Sequence, residues 1–594
     1  MTFRTITARM SGMAEIEKKN KTVHTEETHK TVPELLLRVC SITSFLFSLL
    51  LIVRNIRGFA FIGGAAGIAF SCALLYSQLR FKQKKDYRSL LITRKLSEYW
   101  PFAMIACFVC SRALAEQSPK APDAVLAILW FIIVILKHGA AHYIKDKNVK
   151  KYFPAVDIVR PQKKTLFTEL VEWIDAAFYA VFFVLLVNIF VFQVYRIPSE
   201  SMVPEFMIGD TVIGFKTASG PAFPLSSFRL PQWKTYKRGD IVILSNPNYP
   251  DTPKARLKTF LSQLVYMLTL AQVNLNTDDN GRQKADPLVK RITGEPGEKL
   301  MMVDGVLYAK RRSDTEFSPV EDDRLYANWD LTALPQSERR LIKDIKVDAE
   351  ELRIMETVEA RRKALDFTDA LRQAESLVNK LSLLKNNKDT AVAADFLQAS
   401  EYEMIALFSA NDTISRRLLT TNGGLAWFRT FMTGWIPYWQ TEEAQQATLY
   451  EKRFAQLNAL IKLCFGRIVV RNIELFQANA TSEQFITDEV RNLLLQEAQD
   501  YAFYLAWTNQ RNMDVFPSGA DEYIPENAYF MMGDNRFNST DMRHAYVFRL
   551  DAVDKNDRYS VRFQSNVAPK YVSTEKILGT TVLRVYPFSR FGAL

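Results

Sequence analysis

Arg196-Ile197-Pro198-Ser199-Glu200-Ser201-Met202-Val203-Pro204 follows almost directly on an apolar run near residues 170–194. A bilayer crossing needs about 20 apolar residues, so the run qualifies as a span. The segment therefore divides the chain into a membrane half and a half that reads as soluble. It also places two serines just outside a membrane. A serine becomes a nucleophile only when a base takes its proton. The usual base, histidine, is scarce: His24, His29, His138 and His142 all precede the end of the last span, and only His544 follows it. The expected base is therefore a lysine.

Towards the N-terminus, further apolar runs near 36–53, 58–78, 101–115 and 122–140 bring the expected spans to about five, the first and third being short. Loops rich in Lys and Arg stay on the cytoplasmic side. Arg80, Lys82, Lys84, Lys85, Arg88, Arg94 and Lys95 fill the second loop, and Lys145, Lys147, Lys150, Lys151, Arg160, Lys163 and Lys164 the fourth. The first loop has Arg54 and Arg57, and the third only Lys120. Five crossings from a cytoplasmic N-terminus fit this pattern and put everything after residue 195 outside. Residues 1–34 read as a flexible cytoplasmic tail, too long and polar a lead for a cleaved secretory signal. The formal net charge of +11 does not point to nucleic acid, because so many of the cations sit in these loops. Cys40, Cys72, Cys107 and Cys110 lie in apolar runs and Cys464 stands alone in the soluble half, so no disulfide framework is expected there.

Beyond residue 195 short β-like runs appear, such as 211–215, 240–244, 528–532 and 580–585. Residues 301–308 read as a hairpin, with Asp304-Gly305 as the tight turn between two apolar arms. Between residues 321 and 520 the text changes to charged stretches with helical spacing, Leu371, Ala374, Val378 and Leu381 sharing one face. The expected fold is a multi-pass α-helical membrane region (35–195), then a mainly β catalytic domain (196–320 and 521–594) that carries an α-helical insertion (321–520).

Four blocks outside the insertion carry groups capable of chemistry: Pro198 to Asp210 with its serines, Lys237-Arg238-Gly239-Asp240, Val289-Lys290-Arg291-Ile292-Thr293-Gly294-Glu295-Pro296-Gly297-Glu298, and Gly533-Asp534-Asn535-Arg536-Phe537-Asn538-Ser539-Thr540-Asp541-Met542-Arg543. Singly, each reads as a turn, a strand end or a loop. Together, in this order after a membrane span, they resemble the bacterial type I signal peptidase (leader peptidase) family of Ser-Lys proteases. The resemblance implies a signal-peptidase-like fold and the removal of signal peptides from exported preproteins at the outer face of the bacterial cytoplasmic membrane, with no cofactor or metal.

By resemblance Ser201 is the nucleophile and Lys290 the general base. An unperturbed lysine titrates near 10.4 and would stay protonated; burial disfavours the charged form and lowers that value by up to ~3–5 units. The resemblance gives Ser199 as oxyanion donor, Ser539 as the group that holds the lysine amine in line, and Arg291, Asp541 and Arg543 as structural support. Ile197, Met202 and Val289 stand where the family lines its substrate pocket, with ordinary core packing an equal account of them, and Gly533 would leave room for a small substrate side chain. Glu200, Glu205 and Glu298 depart from the residues common in the family, and the insertion is the larger departure.

Residues 256–268 and 427–439 read either as helices dipping into the outer leaflet or as buried packing. His138 and His142, spaced i, i+4, have no further ligand pattern beside them. The expected partners are preproteins and the lipid bilayer, with export-machinery proteins as candidates for the insertion. Two rivals differ in testable ways. A self-cleaving repressor-type Ser-Lys protease would be soluble, and a catalytically idle membrane scaffold would have no need of Ser199, Ser201, Lys290 and Ser539.

Overall fold

The computed structural model describes residues 32–53, 58–116, 120–154, 156, 166–269, 272–277, 281–385 and 396–594. The tail up to residue 31 with His24 and His29, and the loop cations Arg54, Arg57, Arg160, Lys163 and Lys164, lie outside the described residues. The chain divides into two compact units: Met1–Tyr195, Ile213–Lys234 and Tyr249–Ala285 form one, and Arg196–Val212, Thr235–Asn248 and Asp286–Leu594 the other.

Among the described residues of the first unit, four helices are long and apolar enough to cross a membrane: Val32–Val53, Gly58–Lys84, Lys120–Tyr143 and Glu169–Phe190. The expectation was five. Residues 101–115 fall mostly within a helix, Tyr87–Arg112, whose first half carries Arg88, Arg94, Lys95 and Glu98; these charges leave its apolar stretch shorter than those of the other four. Small residues set the packing of the bundle, as between helices in a bilayer. A Cβ on Gly63 would lie 2.4 Å from the Cys107 carbonyl oxygen and one on Gly67 2.5 Å from Ser48 Oγ. Trp130 Nε1 donates to the Pro101 carbonyl (2.9 Å). The helix Pro253–Leu268 buries only Ser262 and exposes Leu261 and Leu268, so buried packing is not the account of residues 256–268.

The strands run in chain order β1 (Phe192–Arg196), β2 (Thr211–Phe215), β3 (Ile241–Leu244), β4 (Leu288–Gly294), β5 (Glu298–Val303), β6 (Val306–Arg311), β7 (Ser318–Pro319), β8 (Met513–Phe516), β9 (Ala528–Met532), β10 (His544–Ala552), β11 (Arg562–Val567), β12 (Val572–Ser573) and β13 (Ile577–Tyr586). In the second unit β13, β3, β4, β9 and β12 lie side by side in that order, all antiparallel. A second sheet has the order β7-β6-β5-β8. Its β5–β6 hairpin turns at Asp304 and Gly305, both with positive φ (56° and 78°), the conformation a two-residue turn needs to match the strands' twist. Val242, Leu244, Ile292, Leu300, Met302, Phe530 and Met532 fill the core.

Between β7 and β8 the described chain is helical, with long helices at Ala349–Ala364, Phe367–Leu384, Leu449–Gln477 and Glu489–Arg511. Asp348 with Glu351 and Thr448 with Glu451 form capping boxes that satisfy the first free amides of two of them. The buried face of Phe367–Leu384 is Ala370, Ala374, Val378 and Leu381; Leu371 is only half-buried, because the stripe leans by one position. Residues 427–439 pack inward, with Trp427, Phe428, Phe431, Met432 and Trp435 buried. The β region resumes at Met513, ahead of the expected residue 521, because β8 returns to pair with β5. Phe537, Val553, Val561 and Phe563 share the helices' core, and Lys462 pairs with Asp557, both fully buried. The helices are thus fused to the strands rather than appended.

Candidate active site

Residues 196–210 form a loop that closes on itself. Ile197 N donates to the Asp210 carbonyl (2.8 Å) and Gly209 N to the Ile197 carbonyl (2.9 Å). Met202, Val203, Phe206 and Met207 are buried and pin the loop, leaving Ser199 exposed and Ser201 half-buried. Ile197 and Met202 are buried, while Val289 is half-exposed.

Lys290 sits in the middle of β4, paired with Val242 of β3. Neighbouring residues of a strand face opposite sides, so Lys290 and Arg291 diverge. Lys290 is 2% exposed and its Nζ lies 2.8 Å from Ser201 Oγ in hydrogen-bond contact. Burial lowers its pKa to about 8; Asp541 pulls the other way and Arg543 reinforces the drop. Near neutrality roughly a tenth of the molecules then hold a free amine beside the serine. Ser199 Oγ donates to Ser201 Oγ at 3.4 Å, a loose contact on an exposed side chain.

The last block builds the wall. Ser539 Oγ donates to Asp541 Oδ2 (2.9 Å), as does Gly533 N (3.0 Å); the hydroxyl expected to hold the lysine amine thus spends its proton on the carboxylate. Arg543 grips both oxygens of Asp541, each at 2.8 Å. Burial alone would raise Asp541, but the Arg543 guanidinium outweighs it and holds the carboxyl well below the usual range. A Cβ on Gly533 would come within 2.3 Å of both the Ser201 carbonyl oxygen and Ser539 Oγ. Glycine here lets the 196–210 loop and Ser539 approach closely. His544 is buried and pushed down to about 4, first by burial and then by Arg543, which keeps it neutral.

Some participants were not singled out from sequence. Asp534 holds Arg291 through two bonds, at 2.9 and 2.6 Å, while Arg291 stacks 4.0 Å over Tyr326. A cation inside a sheet strand calls for a carboxylate, and Asp534 stood in a quoted block. Asn535 N donates to the Ser201 carbonyl (3.2 Å), and Arg536 pairs with Asp323 (2.6 Å).

The sequence is similar to those of known proteins. The sequence model of the family described as "Signal peptidase, peptidase S26" matches residues 170–358 and 471–586, just over half of the chain, and passes over most of the helical insertion. Signal peptidase I of Buchnera aphidicola subsp. Schizaphis graminum is 29% identical over 122 residues, 20% of this chain and 38% of the relative. That of Buchnera aphidicola subsp. Baizongia pistaciae is 28% identical over 132 residues, 22% of this chain and again 38% of the relative. The chain therefore spans well under half the length of these relatives. With the family model covering the β region and the last span, the chain belongs to the signal peptidase family, peptidase S26.

Proposed function

We propose that this chain is a membrane-anchored serine endopeptidase that removes N-terminal signal peptides from exported preproteins at the outer face of the bacterial cytoplasmic membrane. The observation that carries the reading is the buried Lys290 amine 2.8 Å from Ser201 Oγ. Lys290 takes the proton as Ser201 Oγ attacks the scissile carbonyl, and returns it to the leaving amine. The acyl-enzyme is then hydrolysed by a water that Lys290 deprotonates, and the proton passes back to Ser201 as the acid leaves. The Ser201 backbone N–H and the Ser199 hydroxyl, once rotated, meet the charge on the carbonyl oxygen, a contribution of roughly 3–4 kcal/mol per donor. The substrate binds as an extended strand, with small residues one and three positions before the cut, in keeping with the A-x-A-like pattern of signal peptides.

The catalytic region is extracytoplasmic in this reading, which makes the helix Tyr87–Arg112 a fifth crossing through its apolar second half. Trp100, Met104 and Phe108 of that helix share one core with Leu74 and Trp130 of the neighbouring spans, which supports it. A reporter fused after Lys85 is expected to read cytoplasmic and one fused after Leu594 external; any other result overturns the orientation. The decisive assay is cleavage of a preprotein by the purified full chain in detergent, with Ser201→Ala and Lys290→Ala expected to be inactive. Wild-type protein that cleaves nothing would leave the idle scaffold as the reading, and near-normal activity in either variant would refute the dyad.

A further inference from the structure

The start of the helical insertion reaches the catalytic loop. Glu200, between the two serines, is 5% exposed. Its Oε1 accepts from the Lys343 backbone N–H at 2.5 Å and its Oε2 from Asn538 Nδ2 at 3.3 Å. Its carbonyl accepts from Asn535 Nδ2 at 3.1 Å. Burying a carboxylate is costly unless its oxygens are hydrogen-bonded, so these donors are what permit Glu200 to face inward.

The contact is more than one bond. Val203 and Met207 of the loop form an apolar cluster with Leu331, Leu334, Ile342 and Ile345. Asn328 N donates to the Asp534 carbonyl (2.8 Å) and Arg536 N to the Asn328 carbonyl (3.0 Å). At the other end of the insertion, the final carbonyls of the helix Glu489–Arg511, where the helix dipole is negative, take two partners: Arg543 Nη1 donates to the Gln510 carbonyl (2.5 Å) and His544 Nε2 lies 3.1 Å from the Asn509 carbonyl.

We infer that the insertion is a positioning element of the reaction and that Glu200 is the positioning residue through which residues 328–345 fix the Ser199–Ser201 loop. Anchoring Glu200 inward directs the serines on either side of it the other way, where their hydroxyls meet. The inference rests on the reading of Ser201 as nucleophile. Ser201→Ala therefore comes first: if wild-type protein does not cleave, or Ser201→Ala does, that reading fails before Glu200 is tested.

With that control in place, kcat and KM for preprotein cleavage are measured across pH for Glu200→Ala, Glu200→Gln, Lys343→Pro and the Glu200→Ala/Lys343→Pro double variant. Misplacement of a reacting group by about 1 Å costs up to ~100-fold, so Glu200→Ala should lose about ten- to hundredfold in kcat. Its KM should stay within about twofold, and its acid limb should not move, because other elements hold Lys290. Glu200→Gln keeps an acceptor for the Lys343 amide and should recover to within about threefold of wild type. Lys343→Pro has no N–H to donate and should fall as Glu200→Ala does, the double variant being no worse than the poorer single one. Wild-type kcat in Glu200→Ala, additive losses in the double variant, or losses fully explained by the fraction unfolded would each overturn the inference.

Discussion

Replacing the proposed base with methionine should abolish cleavage and make the protein more stable. Lys290 is buried, and burial takes its pKa from 10.5 to about 8. The unfolded chain keeps a proton on this lysine up to about pH 10.4, whereas the folded chain releases it near 8. Between those values the unfolded state binds more protons, so stability rises with pH. Below pH 8 both states are protonated and the folded state carries the full cost; at about 1.4 kcal/mol per pH unit this is about 3 kcal/mol. Methionine has a similar unbranched length and no charge to bury. It also loses the bond to Ser201 Oγ, which offsets about 1 kcal/mol. The net gain near neutrality is therefore about 2 kcal/mol, a rise of a few degrees in a domain of this size. The assay is the unfolding midpoint of wild type and Lys290→Met in the same detergent from pH 6 to 10.5. A midpoint at pH 7 no higher than wild type's, or a difference that does not shrink as pH rises through 8, would refute the reasoning.

Cleavage by wild type should have an acid limb in kcat/KM near pH 8, because the free amine is the active form; a limb below pH 6 would contradict the pKa of about 8. Asp541→Asn removes the charge that favours protonated Lys290, so the limb should move acidward by on the order of one unit, even as kcat falls because Ser539 loses its partner. A shift to higher pH would show the electrostatics to be misassigned. Gly533→Ala forces a Cβ within 2.3 Å of the Ser201 carbonyl and Ser539 Oγ, and displacing either by about 1 Å should cost up to ~100-fold in kcat/KM; kinetics within threefold of wild type would refute it. Asp534→Ala leaves Arg291 buried with only the looser Glu205 carboxylate (3.7 Å) and the Gly239 carbonyl and should cost up to about 3–5 kcal/mol in unfolding measurements; unchanged stability would refute it.

The parts legible in the sequence are those whose physics is local. Asp304-Gly305 between two apolar arms makes a hairpin from neighbouring residues alone, and the apolar runs declare spans by length. That a serine after a span, with histidine scarce, calls for a lysine is local too, but which serine and which lysine, Ser201 and Lys290, is what the resemblance to the signal peptidase family implies. Where reading fell short, the missing term lies far along the chain. Ile197 and Met202 sit beside the proposed catalytic positions and are buried, which adjacency alone does not reveal. Glu200 reads in the sequence only as a departure from the family, because its partner amide lies 143 residues away and a backbone amide has no letter in the sequence. The same holds for Arg543, one of whose partners is the Gln510 carbonyl.

A lysine base needs burial without a net charge beside it, and that requirement explains the wall behind Lys290. Asp541 is close enough to raise the lysine's pKa, and unopposed it would undo much of what burial achieves. Arg543, gripping both oxygens of Asp541, opposes it and is itself a charge that keeps Lys290 low. His544 adds no charge, being neutral above about 4. Arg543 thus offsets part of the pull of Asp541, and burial, the largest influence, decides the basicity of the amine. Arg543 can stay only because the carbonyls of Gln510 and Arg536 receive its remaining N–H groups, and Gln510 belongs to the last turn of the final insertion helix. On this account the insertion reaches both members of the proposed dyad, Ser201 through Glu200 and Lys290 through Arg543, and a change that loosens it should be felt as a change in the chemistry before it is felt as unfolding.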